Sequence, residues 1–421
     1  MPGGIFMTDV YLVPGVRTPF VKAGGVYAQR SALELSVPVV EAMAARARPD
    51  FLAWGQVIPD PDLSSIGREL IFEARLDPGI PAYSTVMACS TSFMATLQAA
   101  GMIGRGGMHL ALIGGVESMS HVPIALKYKV AERLVGEFTK DPVGAAAAFA
   151  RLTPADFSLP GKGWTNRVSG RTMGEHMEDT AKELGISRAE QDERALISHQ
   201  GAIAGQDAGF FRDLIVPFAG IDHDTLPRRD TSLEKLAKLP PVFDRANGSL
   251  TAGNSSPLTD GAAGLWVADA EGLRRLGVTP VAKLVDWEVV ALDFRSEGML
   301  MAPARAIPRL LARHGLMAEQ IGLWEIHEAF AAQVIANVKA ASDPRYRREK
   351  AEVDFDTGTV PIGRINPNGG SVALGHPFGA TGARILSQAT KELTAMSRGA
   401  RAIVSVCADG GQGTVALLER T

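Results

Sequence analysis

A chain of 421 residues, 46% hydrophobic and 21% charged, has material for two core-forming domains and little reason for disorder. A formal net charge of −3 supplies no global field that would gather nucleic acid. The uncharged apolar-leaning run Pro142 to Ala150 is far shorter than the roughly 20 residues of a spanning helix, and membrane contact is expected to be peripheral at most.

The opening Met-Pro-Gly-Gly-Ile-Phe-Met has neither the basic nor the apolar region of a signal peptide, which points to the cytoplasm, and Met7 is an alternative start. Val10–Val13 is expected to be a strand and Ser31–Arg46 a helix. A second helix is expected over Ser90–Ile103, just after Cys89, and a strand over Leu110–Ile113.

From about Ala125 to Leu250 charge density rises, strand signals thin out and turns such as Leu239-Pro-Pro241 enter, as in an inserted region of helices and loops. Leu126, Val130 and Leu134 recur at helical spacing among Lys127, Lys129 and Arg133. They form either a membrane- or partner-binding face or a helix packed on its own protein. Helices follow over Met173–Leu184, stopped by Gly185, and Arg188–Gly205, opened by a Ser187/Glu190 capping box.

Beyond this region come a strand at Val281–Val285, helices at Pro303–His314, Ala329–Ala341 and Ala380–Leu393, and a strand at Ala402–Val406. Strands alternating with helices predict an α/β architecture. Ile113-Gly-Gly-Val-Glu and Val406-Cys-Ala-Asp-Gly-Gly both follow an apolar strand, a faint sign of duplication.

The chain has only two cysteines, and both lie in small-residue settings. Cys89 precedes a helix, where free amides and the helix dipole favour a thiolate and where its own amide can face a developing oxyanion; alternatively it is a small buried hydrophobe. Cys407 follows a buried-looking strand and precedes Gly410-Gly-Gln-Gly413, a turn that lets a thiol and amides converge, or is structural. His376, held between Gly375 and Pro377 in a glycine-dense run, suits catalysis better than a phosphate cradle, because no Gly-Lys-Ser/Thr follows. His327, in Glu-Ile-His-Glu-Ala-Phe, sits ahead of a helix, and its spacing does not suggest a metal site.

Together these blocks resemble the thiolase family over nearly the whole chain. Arg17-Thr-Pro-Phe20, Gly114-Gly-Val-Glu-Ser-Met-Ser120, Met173-Gly174, Asp192 to Gln200 and Thr251 to Ala263 match as well. The resemblance implies two similar βαβαβαββ halves in a five-layer αβαβα sandwich. The first half would span 1–123 with 252–280, an inserted loop domain 124–251 would bind CoA, and the second half would span 281–421. Its implied reaction is CoA-dependent cleavage of 3-ketoacyl-CoA in fatty-acid β-oxidation, through an acyl group on Cys89.

In that scheme His376 activates Cys89 and Cys407 is the acid/base. His376 with a water held by His327 forms one oxyanion hole, and the amides of Cys89 and Asp409 form the other. Arg228, or its neighbour Arg229, would meet the adenine and phosphate end of CoA, Ser256 the pantetheine, and Met173 the pocket wall. No metal is implied.

Two residues depart from the common pattern. His327 stands where many thiolases have asparagine, as in β subunits of trifunctional complexes, so a hydratase/dehydrogenase α subunit is a possible partner beside a homodimer or homotetramer, with Leu126–Leu152 as contact region. Asp409 stands where glycine or alanine is usual; its side chain is expected to face away from the pocket, since a carboxylate there would oppose a thiolate. Competing readings are an acetyl-CoA acetyltransferase, a decarboxylating ketosynthase, against which Cys407 argues, and a non-catalytic acyl-CoA carrier.

Overall fold

The computed structural model describes residues 8–158 and 165–421. They form two compact units, one of residues 1–121 with 174–421 and one of residues 122–173.

The larger unit is built on a ten-stranded mixed sheet. Its strands are β1 (Tyr11–Val13), β2 (Val21–Lys22), β3 (Phe51–Gln56), β4 (Ala82–Thr85), β5 (Leu110–Glu117), β6 (Thr259–Ala268), β7 (Ala282–Ala291), β8 (Leu323–Ile326), β9 (Arg401–Ala408) and β10 (Gln412–Arg420). They lie in the order β8-β9-β10-β7-β1-β6-β5-β3-β4, with β2 paired to β6. Apart from β2 and the edge strand β4, the order is palindromic about the antiparallel β1–β7 contact. On either side come an antiparallel pair (β1–β6, β7–β10), a second antiparallel pair (β6–β5, β10–β9) and a parallel pair (β5–β3, β9–β8). The faint sequence repeat is thus a real two-fold relation between halves.

Helices α1 (Ala32–Ala44), α2 (Ile66–Glu73) and α3 (Thr91–Gly104) belong to the first half. In β3, alternation sends Leu52 and Trp54 to the side of α1 and α2, and Phe51 and Ala53 to the side of α3. The first half therefore runs β1-α1-β3-α2-β4-α3-β5-β6, the expected βαβαβαββ.

The amphipathic helix α4 (Tyr128–Lys140) and the alanine-rich α5 (Pro142–Phe149) lie in the smaller unit, and α6 (Met173–Glu183) and α7 (Arg188–Asp207) follow. The second half contributes α8 (Ala302–Arg313), α9 (Ala331–Ser342) and α10 (Thr381–Thr394). One continuous apolar core joins α3 and α10 to inner residues of both sheet halves, including Ile113, Leu265, Val404 and Ala416. With α1 and α2 outside one half and α8 and α9 outside the other, the layers are α, β, α, β, α.

Most expected elements fall where the sequence put them. Ser187 and Glu190 form the capping box, and Gly185 takes φ +59° at the end of α6. Leu126 corrects the expectation for the inserted region: it pairs with Phe157 in a short antiparallel ladder, and the helix begins only at Tyr128. On α4, Leu134 is buried whereas Tyr128, Val135 and Phe138 are exposed. Among the described residues no helix is long and apolar enough to cross a membrane.

Candidate active site

Cys89 lies between β4 and α3, immediately before the helix N-cap Ser90. The backbone bends ahead of it, with Ala88 at φ +45°, a left-handed conformation that costs an alanine on the order of 1–3 kcal/mol. Thr91 holds the bend: its hydroxyl donates to the Ala88 carbonyl (2.7 Å) and accepts from the Met87 amide (2.8 Å). The Ser90 hydroxyl crosses to the other half, 3.2 Å from the Val406 carbonyl and 3.1 Å from the Thr414 hydroxyl. The nucleophile loop is thereby tied to the β9–β10 hairpin that carries Cys407.

His376 is fixed from three sides. Gly375 before it takes φ +99°, where any side chain would also meet Leu226 and Thr259. The His376 amide donates to Thr259 Oγ1 (3.0 Å), its Nδ1 lies 2.6 Å from Thr381 Oγ1, and its Nε2 lies 3.1 Å from Cys89 Sγ. Because the single Thr381 hydroxyl proton goes to the Pro377 carbonyl (2.9 Å), Thr381 Oγ1 accepts from Nδ1–H. His376 Nε2 therefore presents a lone pair to the thiol, the tautomer a general base requires.

His327 is fully buried, its ring centroid 4.2 Å from that of His376. Its Nδ1 lies 2.9 Å from Ser371 Oγ, and that oxygen accepts from the buried Arg384 guanidinium (2.8 Å). Arginine can only donate, and His327 Nδ1 is the one acceptor within reach of the Ser371 hydroxyl among the described residues, so the Ser371 proton is directed to it. His327 Nε2 then carries a proton with no partner among the described residues. The two imidazoles thus adopt opposite tautomers, one a base and the other a free donor.

Electrostatics keep this cluster neutral at rest. Burial, and then the Arg384 charge, push His376 down to about 3. Burial, His376 and Arg384 hold His327 well below the usual imidazole range. The helix-dipole expectation for Cys89 is corrected: desolvation dominates and, helped by the charges of Asp409 and Glu117, pushes its thiol up to about 12 against the pull of its own amide. Burial, then the charge of Cys89, holds Cys407 well above its usual value. Cys407 itself ends β9 and is fully buried opposite Gly413.

After burial, the charge of Asp409 is the largest influence on Cys89, and it opposes a thiolate there. Alkylation of Cys89 by iodoacetamide should consequently rise about tenfold per pH unit across the neutral range, since the thiolate fraction does so below a raised pKa. Asp409→Asn should speed it. A plateau near neutral pH would instead indicate a standing thiolate–imidazolium pair.

Glu117 was missed as a separate role, although it stood inside a matched block. From the end of β5 its carboxylate accepts from the amides of Val57 (3.1 Å), Ile58 (3.0 Å) and Gly379 (3.1 Å). It pins the Gly-His-Pro segment to the first half. Burial pushes it up to about 7. Thr381, Ser371 and Arg384 were missed too, and their only sequence signal was membership of the glycine-dense run around His376.

Of the expected CoA contacts, Arg229 is engaged by Asp207 (2.9 and 2.5 Å), whereas Arg228 is exposed and its amide donates to His199 Nδ1 (3.2 Å). Ser256 is half-buried, and its amide donates to the Ala329 carbonyl (3.0 Å), next to the His327 segment. Met173 opens α6.

Comparison with known proteins agrees with this construction. The thiolase N-terminal domain matches residues 10–271 and the thiolase C-terminal domain residues 278–420. The chain is 36% identical over 422 residues to a 3-ketoacyl-CoA thiolase of Shewanella amazonensis, covering 97% of this chain and 96% of that protein. It is likewise 36% identical over 425 residues to one of Erwinia tasmaniensis, with the same coverage. Among solved structures, human mitochondrial 3-ketoacyl-CoA thiolase in complex with CoA superposes with a TM-score of 0.82 at 28% identity, covering 99% of each chain. The Bacillus anthracis acetyl-CoA acetyltransferase also gives 0.82, at 30% identity, covering 99% of this chain and all of that one. Domain matches over both halves, together with relatives of this identity and coverage, place the chain in the thiolase family.

Proposed function

We propose that the chain is an acyltransferase that cleaves 3-ketoacyl-CoA with CoA, releasing acetyl-CoA and a shortened acyl-CoA, a step of fatty-acid β-oxidation. The observation that carries this reading is the convergence of a thiol, a lone-pair imidazole 3.1 Å from it and a free buried imidazole donor, with a second buried thiol whose ionisation responds to the first.

His376 Nε2 takes the Cys89 proton as Sγ adds to the 3-keto carbon. The resulting oxyanion is held by His376 and by a water on His327 Nε2–H. On collapse the bond between the α and β carbons breaks, and its electron pair remains on the acetyl-CoA α carbon, which takes the Cys407 proton. The amides of Cys89 and Asp409 support the enolate oxygen of that leaving thioester. CoA then loses its thiol proton to the Cys407 thiolate and attacks the acyl-Cys89 carbonyl; Cys89 leaves and regains its proton from His376.

The pantetheine of CoA would meet Ser256. Arg228, with Arg229 already paired, would meet the phosphate end. Arg228→Ala should raise KM for CoA about tenfold or more with kcat little changed, because an exposed phosphate contact acts equally in ground and transition states. A fall in kcat at unchanged KM would remove that role.

The test of the function is cleavage of a long-chain 3-ketoacyl-CoA beside acetoacetyl-CoA. Long-chain activity supports the β-oxidation reading. Activity confined to acetoacetyl-CoA favours the acetyl-CoA acetyltransferase reading, which the Bacillus anthracis likeness keeps in view. No cleavage of either favours a carrier.

The assembly proposed is a homodimer or homotetramer in the cytoplasm, with residues 126–152 as the contact for an α subunit. The exposed Tyr128, Val135 and Phe138 support an interaction there. Deleting the segment should abolish co-purification with a hydratase/dehydrogenase subunit; unchanged assembly would end the proposal.

A further inference from the structure

We propose that Cys89, His327 and His376 also form an inhibitory site for a soft divalent cation of the Zn²⁺ class. Each offers one ligand atom, and all three atoms lie within 4.8 Å of one another. One thiolate and two imidazoles suit four-coordinate Zn²⁺ or Co²⁺, with a fourth position for water.

A catalytic cluster alone does not make a metal site, but two further features point to a cation. The first is His327 Nε2, fully buried and without a partner among the described residues. The second is the support behind the rings: both Nδ1 atoms are engaged by hydroxyls, Thr381 for His376 (2.6 Å) and Ser371 for His327 (2.9 Å), leaving His376 Nε2 against the thiol and His327 Nε2 free to take a ligand. Metal-binding histidines are oriented in this way. His376 already has the required tautomer. His327 reaches it by moving its proton from Nε2 to Nδ1 while Ser371 turns to accept, its oxygen still accepting from Arg384.

The charge balance is favourable as well. Asp409 and Glu117, whose negative charge opposes a bare thiolate on Cys89, favour a cation bound there, against the Arg384 charge that acts on His376. In the binding step the Cys89 S–H bond breaks, its proton leaves to solvent, and the sulfur electron pair forms the bond to the metal; nothing is oxidised or reduced. Because the same Sγ carries the acyl group, metal and acyl group exclude each other. This site rests on the geometry and stands whether or not the thiolysis reading does.

The test is titration of the full-length, reduced, metal-free chain with Co²⁺, following thiolate-to-cobalt absorption in the near ultraviolet. One equivalent should saturate the band, Zn²⁺ should abolish it, and bound Zn²⁺ should slow iodoacetamide alkylation of Cys89 more than about tenfold. Cys89→Ala should give no band, Cys407→Ala should keep it, and His327→Asn should weaken Co²⁺ binding at least about tenfold. Circular dichroism checks folding, with His327→Gln substituted if the asparagine variant fails to fold. Absence of the band in the unmodified chain, its survival in Cys89→Ala, undiminished affinity without His327, or alkylation unaffected by Zn²⁺ would each overturn the site. A metal-free chain that shows the band but cleaves no 3-ketoacyl-CoA would refute the thiolysis reading and leave the metal site standing.

Discussion

Cys89→Ser should lower CoA-dependent thiolysis at least about a thousandfold, equivalent to about 4 kcal/mol of transition-state stabilisation. The substitution changes one atom and keeps a hydrogen-bonding group 3.1 Å from His376, so the fold and substrate affinity should survive. What it removes is the chemistry of sulfur. A hydroxyl is a far weaker acid than even a thiol raised to about 12, and a His376 imidazole held down to about 3 is a poor base with which to ionise it. Mass spectrometry after mixing with acyl-CoA should find an acyl adduct on the parent chain and none on the variant. A variant that keeps a tenth of the activity would show that Cys89 does not carry the acyl group.

Cys407→Ala should separate the two chemical steps. Thiolysis needs a proton on the departing carbon, so it should fall about 10²–10⁴-fold, the usual contribution of a positioned acid or base. Exchange of labelled CoA into an acyl-CoA breaks no carbon–carbon bond. It calls on Cys89 and His376, with bulk buffer taking the CoA proton, and should remain within about tenfold of the parent rate. Equal loss of exchange and thiolysis would place Cys407 in the acylation step instead.

Much of the architecture was legible where local chemistry speaks for itself. Ser187 with Glu190, and Gly185 beyond α6, marked helix ends that the structure keeps. Strands β3 and β6 escaped because both are buried along their whole length, and stretches such as Phe-Leu-Ala-Trp-Gly-Gln lack the alternation that identifies a half-exposed strand. At the site, the Gly-His-Pro and Cys-Ala-Asp-Gly-Gly blocks singled out His376 and Cys407. Their surroundings were hidden: desolvation reversed the expected acidity of Cys89, and the opposed tautomers follow from Thr381, Ser371 and Arg384, whose roles depend on distances no spacing reveals.

The link between the halves also bears on how activity arises as the chain is made. Cys89 meets its base 287 residues later, and the Ser90 bond to Thr414 spans 324 residues. A nascent chain therefore holds its nucleophile long before anything can activate it. Competence waits first for His376 and then for the β9–β10 hairpin with Cys407. A ribosome stalled before His376 yields a polypeptide whose thiol has no base, so it should not acylate itself from the cell's CoA esters.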